Sequence, residues 1–308
     1  MGLEKTTSIA PGFRPMWNIH ETGVALIAVL WILAILTIVV TGIAAQTRTE
    51  QRLARNLLAS EQAYHAAEGG IYYAIHQLSG DQGGSGQKLV LSTLRVGGAL
   101  VTTEVTDERG KIDLNTAPDE LIRGLIQAAG VELDEASRLT DAILDWRDGD
   151  SLRRLHGAED ADYRLAGLNY EAKDAEFDSV DELQRVLDMP PEVFELVRGG
   201  FTIQTHAPDI NPMVAAPLVL AAIPGMTEEL VSEYIEAREA SRAEGLPAPA
   251  FPLGGSPYIT FENGPAYRVD ARAEIPSRAV ARIGSVVVAD RRRGPADFSI
   301  IAWSSSPY

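Results

Sequence analysis

The chain has 308 residues, 45% hydrophobic and 23% charged, a composition that folds as one large domain or two modest ones. Its net charge of −16 opposes a nucleic-acid partner, because so acidic a surface repels phosphate backbones. With no cysteine, disulfides, iron–sulfur clusters, cysteine nucleophiles and thiolate zinc sites are excluded.

Residues 24–47 (VALIAVLWILAILTIVVTGIAAQT) carry no charge. About 20 apolar residues span a bilayer core, whereas a secretory signal needs an apolar run of only about 7 to 15. The run starts abruptly after Glu21-Thr22-Gly23. Its helical pattern then continues past the apolar stretch. Leu53, Leu57, Tyr64, Ile71, Ile75 and Leu78 share one helical face, and Arg48, Glu50, Arg52, Arg55 and Glu61 fall between them. No proline interrupts residues 24–78. The pattern predicts one helix of about 55 residues, roughly 80 Å long. Its first half is apolar all round and its second half amphipathic. Such a helix suits a filament subunit, packing on its neighbours through one half and seating a globular head on the other.

Beyond it, SGDQGGSGQ reads as a linker. Residues 88–107 read as two strands turning at Gly97-Gly98. Helices are predicted over about 118–129, 134–147, 180–188 and 190–198, with Thr116 as the first N-cap and Pro118 in the first turn. A charged loop is expected between Asp148 and Asp178. Strand returns at 201–205, a second Asn-led helical segment covers 209–239, and strands follow at 258–261, 266–275 and 281–289. The pattern is α+β: a long N-terminal helix packed on an antiparallel sheet, with an inserted all-α lobe. The divisions are a leader over 1–23, the long helix over 24–78, a head made from 79–114 and 199–308, and the lobe over 115–198.

Between Asp141 and Glu182 thirteen acids face five bases. Such crowding is either solvated or neutralised by a bound cation. Calcium, with six to eight oxygen ligands, could neutralise it, although no EF-hand loop is present. The five histidines form no metal-spaced pair, and GSGQ at 84–87 lacks the Lys-Ser/Thr of a phosphate loop. No catalytic constellation emerges, so the chain reads as a non-enzyme. Residues 112–131 and 209–229 are similar to each other and resemble the helix-hairpin-helix repeats of DNA-uptake proteins. Acids follow both hairpins (Glu132 and Asp134; Glu228 and Glu229), so both read as structural turns without a nucleic-acid partner.

A polar leader ending in glycine, an apolar helix and an amphipathic extension together resemble a type IV pilin or pseudopilin. TDERGKIDLNTA, AILDWRDGD, GAEDADY, FDSVDELQRVLDM and DINPMVAAPLVLAAIPGM, in that order, resemble the K-type minor pseudopilins of type II secretion, the general secretion pathway protein K family. Ala28, at the fifth position after Gly23, stands where most pilins carry a glutamate, and K-type members typically lack it. Asp113 stands where the family often has Asn, and Pro212-Met213 breaks the second Asn-Thr-Ala motif aligned on Asn211.

The resemblance implies cleavage between Gly23 and Val24 by a prepilin peptidase, with N-methylation of Val24. Met16 as start would leave a leader of usual length. It further implies a single-pass inner-membrane anchor with a periplasmic head. The implied partners are the minor pseudopilins of types I, J and H, at the tip of a filament that exports folded proteins, where the chain initiates or caps assembly. It also implies a structural calcium in the lobe, with Asp148, Asp150, Glu159, Asp160 and Asp174 as the expected ligands. The alternatives are a type IV pilus minor pilin and a helix-hairpin-helix-like DNA-binding membrane protein.

Overall fold

A computed structural model describes residues 21–80, 90–276, 279–289 and 298–306. Residues 1–20 of the leader, with Met16, and the GSGQ segment lie outside the described residues. The chain divides into two units, Met1–Leu58 and Ala59–Tyr308. Helix α1 (Glu21–Gly80) runs through the boundary between them.

In the first unit α1 exposes its apolar side chains on every side, Trp31, Ile38 and Val40 among them. It is long and apolar enough to cross a membrane. Two of its hydroxyls are satisfied within the helix: Thr37 Oγ1 donates to the Leu33 carbonyl at 2.7 Å and Thr41 Oγ1 to that of Thr37 at 2.7 Å. That internal pairing suits a medium with no water to offer. Leu53 and Leu57 remain exposed.

In the second unit, β1 (Val90–Val96), β2 (Ala99–Asp107), β5 (Ala266–Glu274), β6 (Val280–Ala289) and β7 (Phe298–Ser306) form an antiparallel sheet in that order. Gly97 (φ +55°) and Gly98 (φ +87°) make the tight β1–β2 turn, which demands two left-handed residues. One sheet face packs on the last turns of α1 through Ala63, Ala67, Ile71 and Ala74. The contact uses small residues because the backbones approach closely: a Cβ on Gly70 would lie 2.6 Å from Val101 Cγ1. The large side chains of the predicted stripe therefore contribute only Ile71 as a fully buried member, with Tyr64, Ile75 and Leu78 partly buried.

The helical core is larger than the predicted lobe. Helices α2 (Asp119–Ala128), α3 (Leu133–Arg147), α4 (Asp160–Leu165), α5 (Pro191–Val197), α6 (Pro217–Ala221) and α7 (Glu228–Glu244) surround it. Its buried members run from Ile112 through Tyr234 to Phe251, well past the predicted boundary at 198. The apolar residues of α6 and α7 are buried with α2 rather than on the sheet. Two short strands, β3 (Ile112–Asp113) and β4 (Phe201–Thr202), pair in parallel and bracket this core.

Several expectations are corrected. The stretch 148–178 is not all loop, since α4 lies within it. Residues 180–185 form a 3-10 turn rather than a helix to 188. The strand expected over 201–205 is only Phe201–Thr202. Residues 258–261 are not a strand: Ile259 makes a single bridge to Ile210. Thr116 is not the N-cap of α2, because its N–H is taken by the Asp113 carboxylate and Pro118 itself occupies the cap position.

The two similar segments, 112–131 and 209–229, are related in detail. Asp113 Oδ1 accepts from Asn115 N, and Asn211 Oδ1 accepts from Met213 N, both at 3.0 Å. The turn closes from Ala117 N to Asp113 O at 2.9 Å, and from Ala215 N to Asn211 O at 3.1 Å. Arg147 then binds the carbonyls of Leu114 and Ala117, and Arg238 those of Pro212 and Ala215. The hairpin glycines share one conformation, Gly130 at φ +93° and Gly225 at φ +91°. Asp113 thus corresponds to Asn211, two residues away from the pairing of Asn115 with Asn211 that the sequence suggests. Asn115 does something else: it clasps Phe177, donating to its carbonyl at 3.1 Å and accepting from its N–H at 2.7 Å. That clasp closes the acidic segment.

Candidate metal centre

Helix α3 supplies the foundation. Asp141 and Asp145 lie one turn apart near its C-terminus, and Asp148 is its C-cap. The chain leaves at Gly149 and doubles back along the helix. Arg154 N donates to Asp145 Oδ2 at 3.2 Å, and His156 N to Asp141 Oδ2 at 3.0 Å. Gly157 passes so close that a Cβ there would lie 1.9 Å from Asp145 Oδ2. This return path delivers Glu159 to the place where Asp148 and Asp150 began the loop.

The result is a three-carboxylate cluster. One oxygen each from Asp148, Asp150 and Glu159 lies within 4.8 Å of the others. Glu159 is only 7% exposed, and its Oε1 has no hydrogen-bond partner. Asp148 Oδ1 and Asp160 Oδ1 are also buried without partners. Burial, reinforced by the charges of Asp145, Asp174, Asp148 and Asp150, pushes the Glu159 carboxyl up to about 7. Burial, with Asp160 and Asp148 next, also raises Asp174, whose backbone is left-handed at φ +51°. Of the five residues expected as ligands, Asp148, Asp150 and Glu159 are brought together. Asp174 stands near enough for its charge to act on Glu159, and Asp160 near enough to act on Asp174.

The arrangement fits a hard cation. All its donors are oxygens, several lack any other partner, and the charge needs neutralising, which suits calcium and not a metal that prefers nitrogen or sulfur. Asp148, Asp150 and Glu159 would hold the ion. Behind them, Trp146 packs on Tyr163 (5.7 Å between ring centroids) and Tyr163 on Tyr170 (5.9 Å). Sequence reasoning missed Asp141, Asp145 and Arg154 as supports. The i, i+4 spacing of the two aspartates on a predicted helix was the available signal.

A pH dependence follows. In a detergent solution with chelator, Glu159 binds its proton near pH 7 when folded but near its ordinary 4.5 when unfolded. The folded state then holds more protons between those values, so stability falls as pH rises through that window. The lobe is expected to melt at higher temperature at pH 5.5 than at pH 8 without divalent metal. Were calcium to occupy the cluster, millimolar calcium would be expected to reverse the order, because the ion would replace the proton. Thermal melts followed by tryptophan fluorescence check this, and Glu159→Gln is expected to abolish both effects.

Fold and site define a pilin-like subunit: an apolar-to-amphipathic N-terminal helix, a close packing of small residues against an antiparallel sheet, and a helical lobe inserted between β2 and β5. A family model described as type II secretion system (T2SS), protein K, matches residues 99–203. The chain is 29% identical over 239 residues to type II secretion system protein K of Pseudomonas aeruginosa, covering 68% of this chain and 72% of that relative. It is 26% identical over 203 residues to the protein of the same name from Pectobacterium carotovorum, covering 57% and 60%. The fold is also that found in the crystal structure of the GspK-GspI-GspJ complex from the enterotoxigenic Escherichia coli type 2 secretion system. That match has a TM-score of 0.59 at 14% identity and covers 85% of this chain and 99% of that one. By these matches the chain is similar to type II secretion system protein K, and they support reading it as a minor pseudopilin of type II secretion.

Proposed function

We propose that this minor pseudopilin stands at the tip of the type II secretion pseudopilus and initiates or caps its assembly. The observation that carries the reading is the inserted lobe with a hydrophobic core of its own. A head enlarged in this way hinders a further subunit from adding above it. The absence of a carboxylate at Ala28 supports the same position, since a subunit with no predecessor has no neighbouring amine to pair there. The partners are the minor pseudopilins of types I, J and H, a reading supported by the GspK-GspI-GspJ composition of the structural neighbour. The apolar half of α1 anchors the chain in the inner membrane, with the head periplasmic. A prepilin peptidase removes residues 1–23, cutting after Gly23 and leaving Val24 for methylation.

The lobe is stapled by a structural calcium on Asp148, Asp150 and Glu159, with Asp160 and Asp174 completing the oxygen shell. Calcium takes the place that disulfides hold in other exported domains, tying a long acidic loop to α3.

One experiment addresses position and processing together. Pseudopili assembled with the full set of subunits are purified, the chain is quantified against the major subunit, and its N-terminus is sequenced. The expected result is far fewer copies than the major subunit, each beginning at Val24. Copy numbers approaching the major subunit's would overturn the tip assignment, and an intact leader would overturn the processing.

A further inference from the structure

Inside the acidic cluster sits one cation that the protein supplies itself. Arg154 Nη1 lies 2.7 Å from Asp148 Oδ2 and 3.1 Å from Asp145 Oδ1. Its backbone N–H also donates to Asp145. Asp145 is fully buried and Asp148 half-buried, while the arginine side chain is 39% exposed. The guanidinium therefore bridges a supporting carboxylate and one of the carboxylates that face the candidate metal position. It leaves Asp148 Oδ1 without a hydrogen-bond partner. No second basic side chain forms an ion pair with Asp145, Asp148, Asp150 or Glu159 among the described residues.

Two roles are conceivable for such a group, and they differ in sign. An arginine that only orients Asp148 would strengthen metal binding, and its loss would weaken affinity. An arginine that serves as a resident counter-ion would compete with the metal, because a positive charge one carboxylate away repels a divalent cation. The geometry separates them. The Asp148 backbone is fixed as the C-cap of α3, its N–H bonded to the Leu144 carbonyl at 3.1 Å, and Arg154 meets only its carboxylate. Asp145, by contrast, is buried in the last turn of that helix, and Arg154 supplies its only cationic partner among the described residues. A buried carboxylate without a counter-charge is costly.

We propose that Arg154 is a built-in counter-ion of the acidic lobe: it keeps the lobe folded when calcium is absent and lowers the affinity with which calcium binds. This rests on the reading of Asp148, Asp150 and Glu159 as a calcium site. The lobe is then held by two cations in succession, a weak internal one and a stronger external one. Its calcium response is tuned so that the chain folds before the metal arrives.

The test uses the full chain in detergent, with calcium alone as the probe. Calcium affinity is measured by titration calorimetry, and melting temperature is measured in chelator and in calcium. Arg154→Gln is expected to lower the melting temperature in chelator and to tighten calcium binding by about fivefold to tenfold, by removal of a nearby like charge. Arg154→Lys keeps the charge and is expected to bind calcium within about twofold of the unaltered chain. Unchanged or weaker binding by Arg154→Gln overturns the counter-ion role while leaving the metal site standing. If Arg154→Gln yields no folded protein even in calcium, Arg154→Lys decides: binding weakened tenfold or more makes the arginine an orienting group and overturns the proposal. If the unaltered chain gives no heat with calcium and no shift in melting, the metal site itself fails, and the inference with it.

Discussion

Asp113→Ala is expected to unfold the helical lobe at temperatures where the unaltered chain is stable. The Asp113 carboxylate is buried and accepts five hydrogen bonds. Oδ1 takes the N–H groups of Asn115 and Thr116 at 3.0 and 3.2 Å. Oδ2 takes Thr205 N at 3.1 Å, Thr205 Oγ1 at 3.0 Å and His206 N at 2.9 Å. One side chain thus begins α2 and ties down the segment that leaves β4, holding both ends of the helical insertion. Alanine would strand four backbone donors in a dry site. Each unsatisfied donor costs about 1 to 3 kcal/mol, and with partial relaxation the total is about 3 to 5 kcal/mol. Asp113→Asn is the sharper variant. It is nearly isosteric, yet its amide nitrogen must face two or three donors where an oxygen accepted them, so it is expected to lose about 2 kcal/mol. Urea unfolding followed by circular dichroism in detergent checks both. An asparagine variant as stable as the unaltered chain would show that the five contacts are not jointly needed, and would sink this account of the junction.

The second large effect is expected at Gly124. There α2 crosses α6 with almost no space between backbones. A Cβ on Gly124 would lie 2.0 Å from the Ala222 carbonyl oxygen and 2.9 Å from its carbon. The obstacle is backbone on a neighbouring helix, so a rotamer change cannot relieve it. Gly124→Val must push α6 away from Leu121 and Leu125, which α2 buries completely. Overpacking ordinarily costs about 1 to 3 kcal/mol; with backbone on the other side, about 3 kcal/mol or more is expected. Gly130→Ala is the control: it has open space around it and a left-handed backbone, for which the cost is about 1 to 2 kcal/mol. Comparing melting temperatures separates crowding from backbone strain. Similar losses at the two positions would mean that α2 and α6 are not packed as closely as described.

Local chemistry made much of this protein legible. The long helix is written in uncharged residues without proline. The β1–β2 hairpin is written in Gly97-Gly98, and α2 and α3 in their apolar periodicity. The acidic loop shows by its charge count that it is either solvated or neutralised. In each case the signal lies within one or two turns of chain, where sequence spacing and spatial spacing coincide.

What escaped depends on partners distant in the chain. β3 and β4 are two residues each, too short to have a pattern, and exist only because they pair across nearly ninety residues of helical chain. β7 ends in serines and shows little alternation, so its strand character comes from pairing with β6. The correspondence of Asp113 with Asn211 is set by which backbone carbonyls Arg147 and Arg238 reach, not by the likeness of Asn-Thr-Ala to Asn-Pro-Met. The sequence by itself determined a membrane-length helix, a mixed α+β head and an acidic segment. Only the tertiary structure decided which acids meet, because Glu159 reaches Asp148 and Asp150 through a loop pinned by backbone N–H groups to Asp141 and Asp145. The placing of Arg154 among them was likewise decided there: the spacing of charges along a chain does not specify their distances once it turns back on itself.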